Sequence, residues 1–82
     1  MTLPMPTESA VVTSYDRANF ATYASLLDAV AAGVDWRKVT ATLFGIDAAA
    51  DEQVAKQVFD ANLARARWMT TDGYRLLAGL PR

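Results

Sequence analysis

The sequence predicts a small all-α domain of four to five helices. Apolar residues recur at spacings of three and four along most of the chain, which is the period of an amphipathic helix. No segment alternates apolar and polar side chains in the manner of a half-buried strand. The 82 residues are 52% hydrophobic and 21% charged, a balance typical of one globular domain with a small core.

Residues 1–10 are predicted to form a flexible N-terminal tail, followed by a single helical domain over residues 11–82. Pro4 and Pro6 oppose helix formation, and no Lys or Arg occurs before Glu8, so neither a signal peptide nor a basic arm is expected. Val11 and Val12 are expected to fold back onto the first helix. The absence of a long apolar run and of cysteine predicts a cytoplasmic protein.

The first helix is predicted to begin near Tyr15, with Ser14 or Asp16 as its cap, and to end at Gly33. Its apolar stripe comprises Phe20, Tyr23, Leu27, Val30 and Ala31.

A second helix is predicted after Asp35, whose carboxylate is placed to accept from free backbone amides, and it ends at Gly45. Its apolar positions are Trp36, Val39 and Leu43. A connection of about six residues then leads to a third helix. This connection is longer than the turn of an ordinary helix-turn-helix, so the pair is predicted to be helix-turn-helix-like with an extended turn.

The third helix is predicted to begin at Asp51 and Glu52, acids that suit the positive end of a helix dipole, and to run to about Met69. Its core face is predicted to contain Ala55, Val58, Phe59, Asn62, Ala66 and Met69. Its outer face is predicted to contain Gln53, Lys56, Gln57, Asp60, Ala64 and Arg67. Thr71 or Asp72 is expected to cap a last short helix that carries Tyr74, Leu77 and Ala78.

Most enzyme classes are excluded by composition. The chain has no His and no Cys, which removes imidazole bases, thiolate nucleophiles, the usual zinc ligands and disulfides. Asp47, Asp51 and Glu52 lack the spacing and central glycine of an EF-hand calcium loop. No catalytic residue, metal site or cofactor is expected.

The charge is unevenly distributed although the formal net charge is only -1. Residues 1–35 carry a net charge of -3 and residues 64–82 carry +3. Residues 51–60, the reading surface of a helix-turn-helix, hold one cation, Lys56, against three acids. An acidic surface of this kind repels the DNA backbone, so sequence-specific DNA binding by this chain is disfavoured.

Five segments carry a resemblance to a known family. They are residues 26–29 (Leu-Leu-Asp-Ala), 33–39 (Gly-Val-Asp-Trp-Arg-Lys-Val), 44–47 (Phe-Gly-Ile-Asp), 63–70 (Leu-Ala-Arg-Ala-Arg-Trp-Met-Thr) and 73–77 (Gly-Tyr-Arg-Leu-Leu). Over residues 13–79 the chain resembles the proteobacterial domain-of-unknown-function family 2285. The last two segments are the most specific, since they place two aromatic residues, a glycine and three arginines in order.

The resemblance implies a variant helix-turn-helix domain of the kind carried on mobile elements and linked to control of conjugative transfer. It further implies a stand-alone antiactivator that binds a transcriptional activator of the FseA type, with a TraR-like quorum-sensing regulator as a second candidate partner, and that does not itself bind DNA. The alternative is a DNA-binding repressor or accessory factor. A structural or antitoxin-like partner protein is a third possibility.

Two sets of site residues follow from these alternatives. The partner surface of an antiactivator is predicted at Tyr23, Leu26, Trp68 and Tyr74, although core packing is the favoured interpretation of Tyr23 and Leu26. DNA binding would use Arg37, Lys38, Lys56 and Arg67. Arg65 lies beside the core on the helical wheel and is predicted to make structural ion pairs.

Overall fold

The computed structural model describes residues 4–6 and 11–73. It contains helices α1 (Ser14–Ala18), α2 (Phe20–Ala31), α3 (Trp36–Phe44) and α4 (Glu52–Trp68), followed by a π-helix at Met69–Gly73. No strand occurs in the two described ranges. The prediction of a small all-α domain is confirmed.

The predicted first helix is two helices, α1 and α2, which are separated at Asn19. Thr13 is the N-cap of α1: its hydroxyl accepts from the N–H of Asp16, whose carboxylate accepts from the N–H of Thr13. The predicted caps Ser14 and Asp16 are therefore corrected to Thr13, with Asp16 as the distal member of a capping box. Asn19 leaves helical geometry, and its side-chain amide donates to the carbonyl of Tyr15.

Helix α3 has the ends that the sequence predicts. The carboxylate of Asp35 accepts from the N–H of Arg37, which satisfies a free amide of the first turn. Gly45 ends the helix with φ of 67°, in the left-handed region, and its N–H donates to the carbonyl of Ala41. Residues 45–51 then connect α3 to α4.

Replacing Gly45 by alanine is expected to lower the free energy of unfolding by about 1 kcal/mol, since an L-residue is strained at positive φ. Among the described residues other than its two chain neighbours, no atom lies within 4 Å of an added Cβ, so this loss comes from the backbone conformation. Urea unfolding followed by circular dichroism measures it. The control Gly45→Asn should lose less, because asparagine tolerates this conformation. Equal stability of the alanine variant and the wild type would contradict the prediction.

Helix α4 also begins as predicted. The carboxylate of Asp51 accepts from the N–H of Val54, and the helix continues to Trp68 before the π-helix. Thr71 and Asp72, the two predicted caps of a further helix, both lie within the π-helix, where the hydroxyl of Thr71 donates to the carbonyls of Arg67 and Trp68. The short helix predicted to follow lies outside the described residues.

The core lies where α2, α3, α4 and the π-helix meet. Its buried cluster consists of Tyr23, Leu26, Val39, Phe59, Ala66 and Met69. All six residues predicted for the core face of α4 are buried, and all six predicted for its outer face are exposed. The stripe predicted on the first helix is partly wrong, because α2 buries Tyr23 and Leu26 and leaves Phe20 41% exposed.

The described part of the N-terminal segment contacts the helices. The carbonyl of Pro4 accepts from the side-chain amide of Asn62, at 2.7 Å, so Pro4 contacts α4. Val12 packs against the core, as expected for a lead-in, whereas Val11 is exposed. Within the described ranges, none of the helices combines the length and the apolar character needed to cross a bilayer.

Candidate protein-interaction surface

A buried ion pair joins α1 to α4. The carboxylate of Asp16 is fully buried, and the guanidinium of Arg65 binds it at 2.6 Å between Nη2 and Oδ2 and at 3.0 Å between Nε and Oδ1. The hydroxyl of Tyr23 donates to the same carboxylate at 2.8 Å. Arg65 also donates to the carbonyl of Val11. The structural ion pair predicted for Arg65 is present, and it holds α1, α2 and α4 together.

The environment of the pair shifts the acidity of its members. Burial by itself raises the pKa of Asp16, but hydrogen bonds from Arg65, Thr13 and Tyr23 outweigh it and lower that pKa to about 2. Burial and the hydrogen bond to Asp16 raise the pKa of Tyr23. The hydrogen bond to Asp16 likewise raises the pKa of Arg65 against the effect of burial. The pair is therefore charged throughout the physiological range.

The lowered pKa of Asp16 predicts acid sensitivity. Its contribution to stability is complete above the unfolded-state pKa of 3.8 and is lost as pH falls through about 2. We expect the free energy of unfolding to fall by about 2 kcal/mol from about pH 5 to about pH 2, measured by urea unfolding at stepped pH. The control Asp28→Asn, on the exposed face of α2, should keep this dependence. An Asp16→Asn variant with the wild-type pH dependence would contradict it.

Burial corrects two of the four residues predicted for the partner surface. Tyr23 is 3% exposed and Leu26 is fully buried, so both side chains belong to the core and neither is an exposed anchor. The physical reason is that the face of α2 that carries Tyr23 and Leu26 packs toward α4.

The other two residues predicted for the partner surface are Trp68 and Tyr74. Trp68 is half-buried at the end of α4, where its ring stacks on the guanidinium of Arg65 at 3.8 Å. A half-buried indole of this kind is suited to a contact surface, because it combines a large apolar ring with a polar N–H. Tyr74 lies outside the described residues.

An open apolar groove lies between α2 and the end of α4. It has a volume of about 560 Å³ and is lined, among the described residues, by Phe20, Tyr23, Ala24, Leu27, Ala66, Met69 and Thr70. Tyr23 and Met69 form the buried floor, while Phe20, Ala24 and Thr70 are exposed at its edges. We call this set of residues the α2–α4 groove. An apolar concavity of this size on a small domain is typical of a binding site.

The groove is not predicted by the sequence, although some of its residues lie in a predicted apolar stripe. Phe20 and Leu27 belong to the predicted stripe of the first helix, which we interpreted as core. Two other members, Ala24 and Thr70, carry no signal of their own, because small and hydroxylated side chains occur on any helix surface. Only the packing of α2 on α4 brings the four together.

A different part of the surface, where α3 meets α4, carries the charged cluster of the DNA-binding alternative. Arg37 forms ion pairs with Glu52 at 2.9 Å and Asp35 at 3.8 Å. The ammonium of Lys56 lies 3.2 Å from the carboxylate of Asp60. Both cations are thus next to acids that offset their charge.

The same two cations cover an aromatic pair. The guanidinium of Arg37 lies 4.7 Å from the ring centre of Trp36, and the ammonium of Lys56 lies 5.0 Å from it. Trp36 contacts Phe59 with ring centres 6.0 Å apart. This arrangement stabilises the α3–α4 packing through cation–π contacts and occupies the cations that DNA would require.

Lys38 and Arg67, the remaining cations of the DNA-binding alternative, are exposed and lie in no ion pair among residues 4–6 and 11–73. They lie on different helices, Lys38 on α3 and Arg67 near the end of α4. In the same ranges, no group of three or more acidic side chains is arranged to hold a metal ion.

These features define a small all-α domain with an apolar groove and a separate charge-paired surface. Comparison of the chain with protein-family models, with curated proteins and with solved structures found no match. The resemblance to family 2285 therefore stays a prediction that depends on the residues quoted for it.

Proposed function

We propose that this protein is an antiactivator, which binds a transcriptional activator and prevents it from activating transfer genes of a mobile element. The α2–α4 groove is the observation that carries this proposal, since it gives the domain an apolar surface suited to a protein partner. The resemblance supplies the partner class: an FseA-like activator, with a TraR-like regulator second. Among stand-alone members of family 2285, the chain is similar to the small antiactivator QseM.

The mechanism is competition. An activator built from an N-terminal domain and a second domain of this fold buries an interface between the two. A free copy of the second domain occupies that interface when it presents the same apolar surface. The captured activator then lacks the DNA contacts that its own second domain supplies.

The charges of the α3–α4 side support a protein partner over DNA. Phosphate contacts depend on cations that release counterions, and each one lost weakens binding substantially. Here Arg37 and Lys56 are paired with acids, and residues 51–60 carry a net charge of -2. DNA binding would have to break these pairs before any phosphate was neutralised.

The proposal is tested by pull-down with the isolated N-terminal domain of an FseA-like activator. We expect a complex with the wild type and none with Ala24→Arg, which places a long charged side chain in the groove. Ala64→Arg, an exposed alanine on the outer face of α4, is the matched control and should bind as the wild type does. Failure of the wild type to bind the activator would overturn the proposal.

A DNA-binding repressor is the second candidate, and it is favoured by the exposure of Lys38 and Arg67, which form no ion pair with the residues that the structure describes. This function predicts an electrophoretic shift of promoter DNA at low salt that weakens steeply as salt rises. The shift should diminish in Lys38→Ala and Arg67→Ala. An antiactivator without DNA contacts shows no shift under the same conditions, so one titration separates the two candidates.

A further inference from the structure

We propose that the α2–α4 groove receives an amphipathic helix of the partner protein, with apolar side chains one turn apart and acidic side chains near the Phe20 end. The inference rests on the proposed function, because it assigns the element by which the activator docks. It specifies the chemistry of that element from the shape of the groove and from the charges around it.

The shape of the groove fits a helix. Phe20, Ala24 and Leu27 follow one another at i, i+4 and i+7, so they form a line along α2 that is about 10 Å long. A docked helix presents its own apolar anchors at the same spacing over two turns. A volume of about 560 Å³ accommodates several such side chains.

The composition of the walls allows close approach. Ala24 on α2 and Ala66 on α4 lack bulk, so the backbone of a docked helix comes near the floor between them. Met69 provides a flexible side chain that adjusts to the shape of an anchor. Phe20, 41% exposed, supplies an aromatic edge that gains burial on binding.

The surrounding charges give the docked helix a polarity. Arg17 lies three residues before Phe20, and Arg67 lies three residues before Thr70; both are exposed and neither forms an ion pair within the described ranges. Asp28, directly after Leu27, is the one charged residue of α2 and lies at the other end of the line. An acid of the partner is therefore attracted near Phe20 and repelled near Leu27.

Two synthetic helical peptides test the inference on the isotope-labelled full chain by NMR. Both carry Leu, Phe and Leu at i, i+4 and i+7; one has Glu flanking the first anchor, and the other has Lys at the same places. The acidic peptide is expected to shift the methyl signals of Ala24, Leu27 and Met69 and to bind about tenfold more tightly than the basic peptide. Equal affinities, or shifts confined to other residues, would overturn the inference.

Variants locate the contacts. Ala24→Arg should abolish peptide binding with an unchanged circular dichroism spectrum. Arg67→Glu should weaken the acidic peptide and strengthen the basic one. Lys38→Glu is the matched charge reversal on α3 and should leave the preference as in the wild type. A preference that Lys38→Glu changes and Arg67→Glu does not would contradict the assignment.

Other occupants of the groove give distinct results. Because the chain has no cysteine, Leu80→Cys gives a unique site for a nitroxide label. Broadening of the Ala24 methyl signal in dilute free protein would assign the groove to the chain's own C-terminal residues. Broadening only in concentrated mixtures of labelled and unlabelled copies would assign it to a second copy. Either result overturns the inference.

Failure of the inference is distinguishable from failure of the proposed function. If the activator domain still binds Ala24→Arg in the pull-down, the antiactivator function holds and the groove assignment is wrong. If the wild type binds the acidic peptide but never the activator domain, the groove is a helix site and the antiactivator function is wrong.

Discussion

Replacing Arg65 by alanine is expected to lower the free energy of unfolding by about 3–5 kcal/mol, because it leaves the buried carboxylate of Asp16 without its counter-charge. Arg65 is 6% exposed and donates both to that carboxylate and to the carbonyl of Val11. A domain of this length has a total stability of about 4–12 kcal/mol. The variant should therefore lose a large fraction of its stability and unfold at a much lower urea concentration than the wild type.

Urea unfolding followed by far-ultraviolet circular dichroism measures this loss. Arg67→Ala, two residues further along the same helix and exposed, is the matched control and should unfold close to the wild type. The double variant Asp16→Asn with Arg65→Met should lose less than the sum of its single variants, since the unpaired charge is gone. Additive losses would show that the two groups do not stabilise each other.

Replacing Leu26 by alanine is expected to cost about 2–5 kcal/mol, the range for removing a fully buried leucine and leaving a cavity. Leu26 is entirely buried in the cluster that joins α2 to α3 and α4. Thermal and urea unfolding both report the change. The result bears directly on function, because a surface residue of a partner interface would show little loss of stability.

The neighbouring leucine provides the control. Leu27 is half-buried and lines the α2–α4 groove, so Leu27→Ala should lose less stability than Leu26→Ala while weakening the activator complex. Comparable losses of unfolding free energy in Leu26→Ala and Leu27→Ala would show that α2 does not bury Leu26 more deeply than Leu27. Retained binding by Leu27→Ala would remove Leu27 from the interaction surface.

Helices α3 and α4 were predictable because their signals are local. Asp35 and Asp51 are acids that directly precede an apolar period, and each accepts from an amide of the first turn. Gly45 takes the positive φ that few other residues adopt. On a helix as long as α4, many apolar residues together define the direction that is buried, so one atypical residue has little effect. The core face predicted for this helix is therefore correct at every position.

The first two helices were predicted less well because their structure depends on distant residues. The spacing of apolar residues continues unchanged across the helix break at Asn19, so the sequence does not reveal the break. The residues of the capping box, Thr13 and Asp16, are also compatible with the interior of a longer helix. The sequence around Asp16 is that of an exposed acid, because its partner Arg65 lies 49 residues further along the chain. Tyr23 is buried as its place in the predicted stripe implies, and its hydroxyl donates to Asp16. The buried line of α2 continues through Leu26 and leaves Phe20 exposed, which the spacing of apolar residues did not predict.

The candidate site depended on the same long-range packing. The buried role of Arg65 was predictable from its position beside the apolar face of α4. The α2–α4 groove was not predictable, because it lies between two helices and no single segment of the sequence defines it. Charge pairing on the α3–α4 side was visible only in part, since Arg37 and Glu52 lie 15 residues apart.

The two tryptophans are fluorescence probes that lie at different ends of the domain. Trp36 lies beside Arg37 and Lys56 where α3 meets α4, whereas Trp68 stacks on Arg65 at the far end of α4. Emission from Trp36→Phe and Trp68→Phe variants therefore follows each end of the domain separately. Coincident transitions would identify one cooperative unit, and an earlier change at Trp68 would show that the end bearing the ion pair opens first.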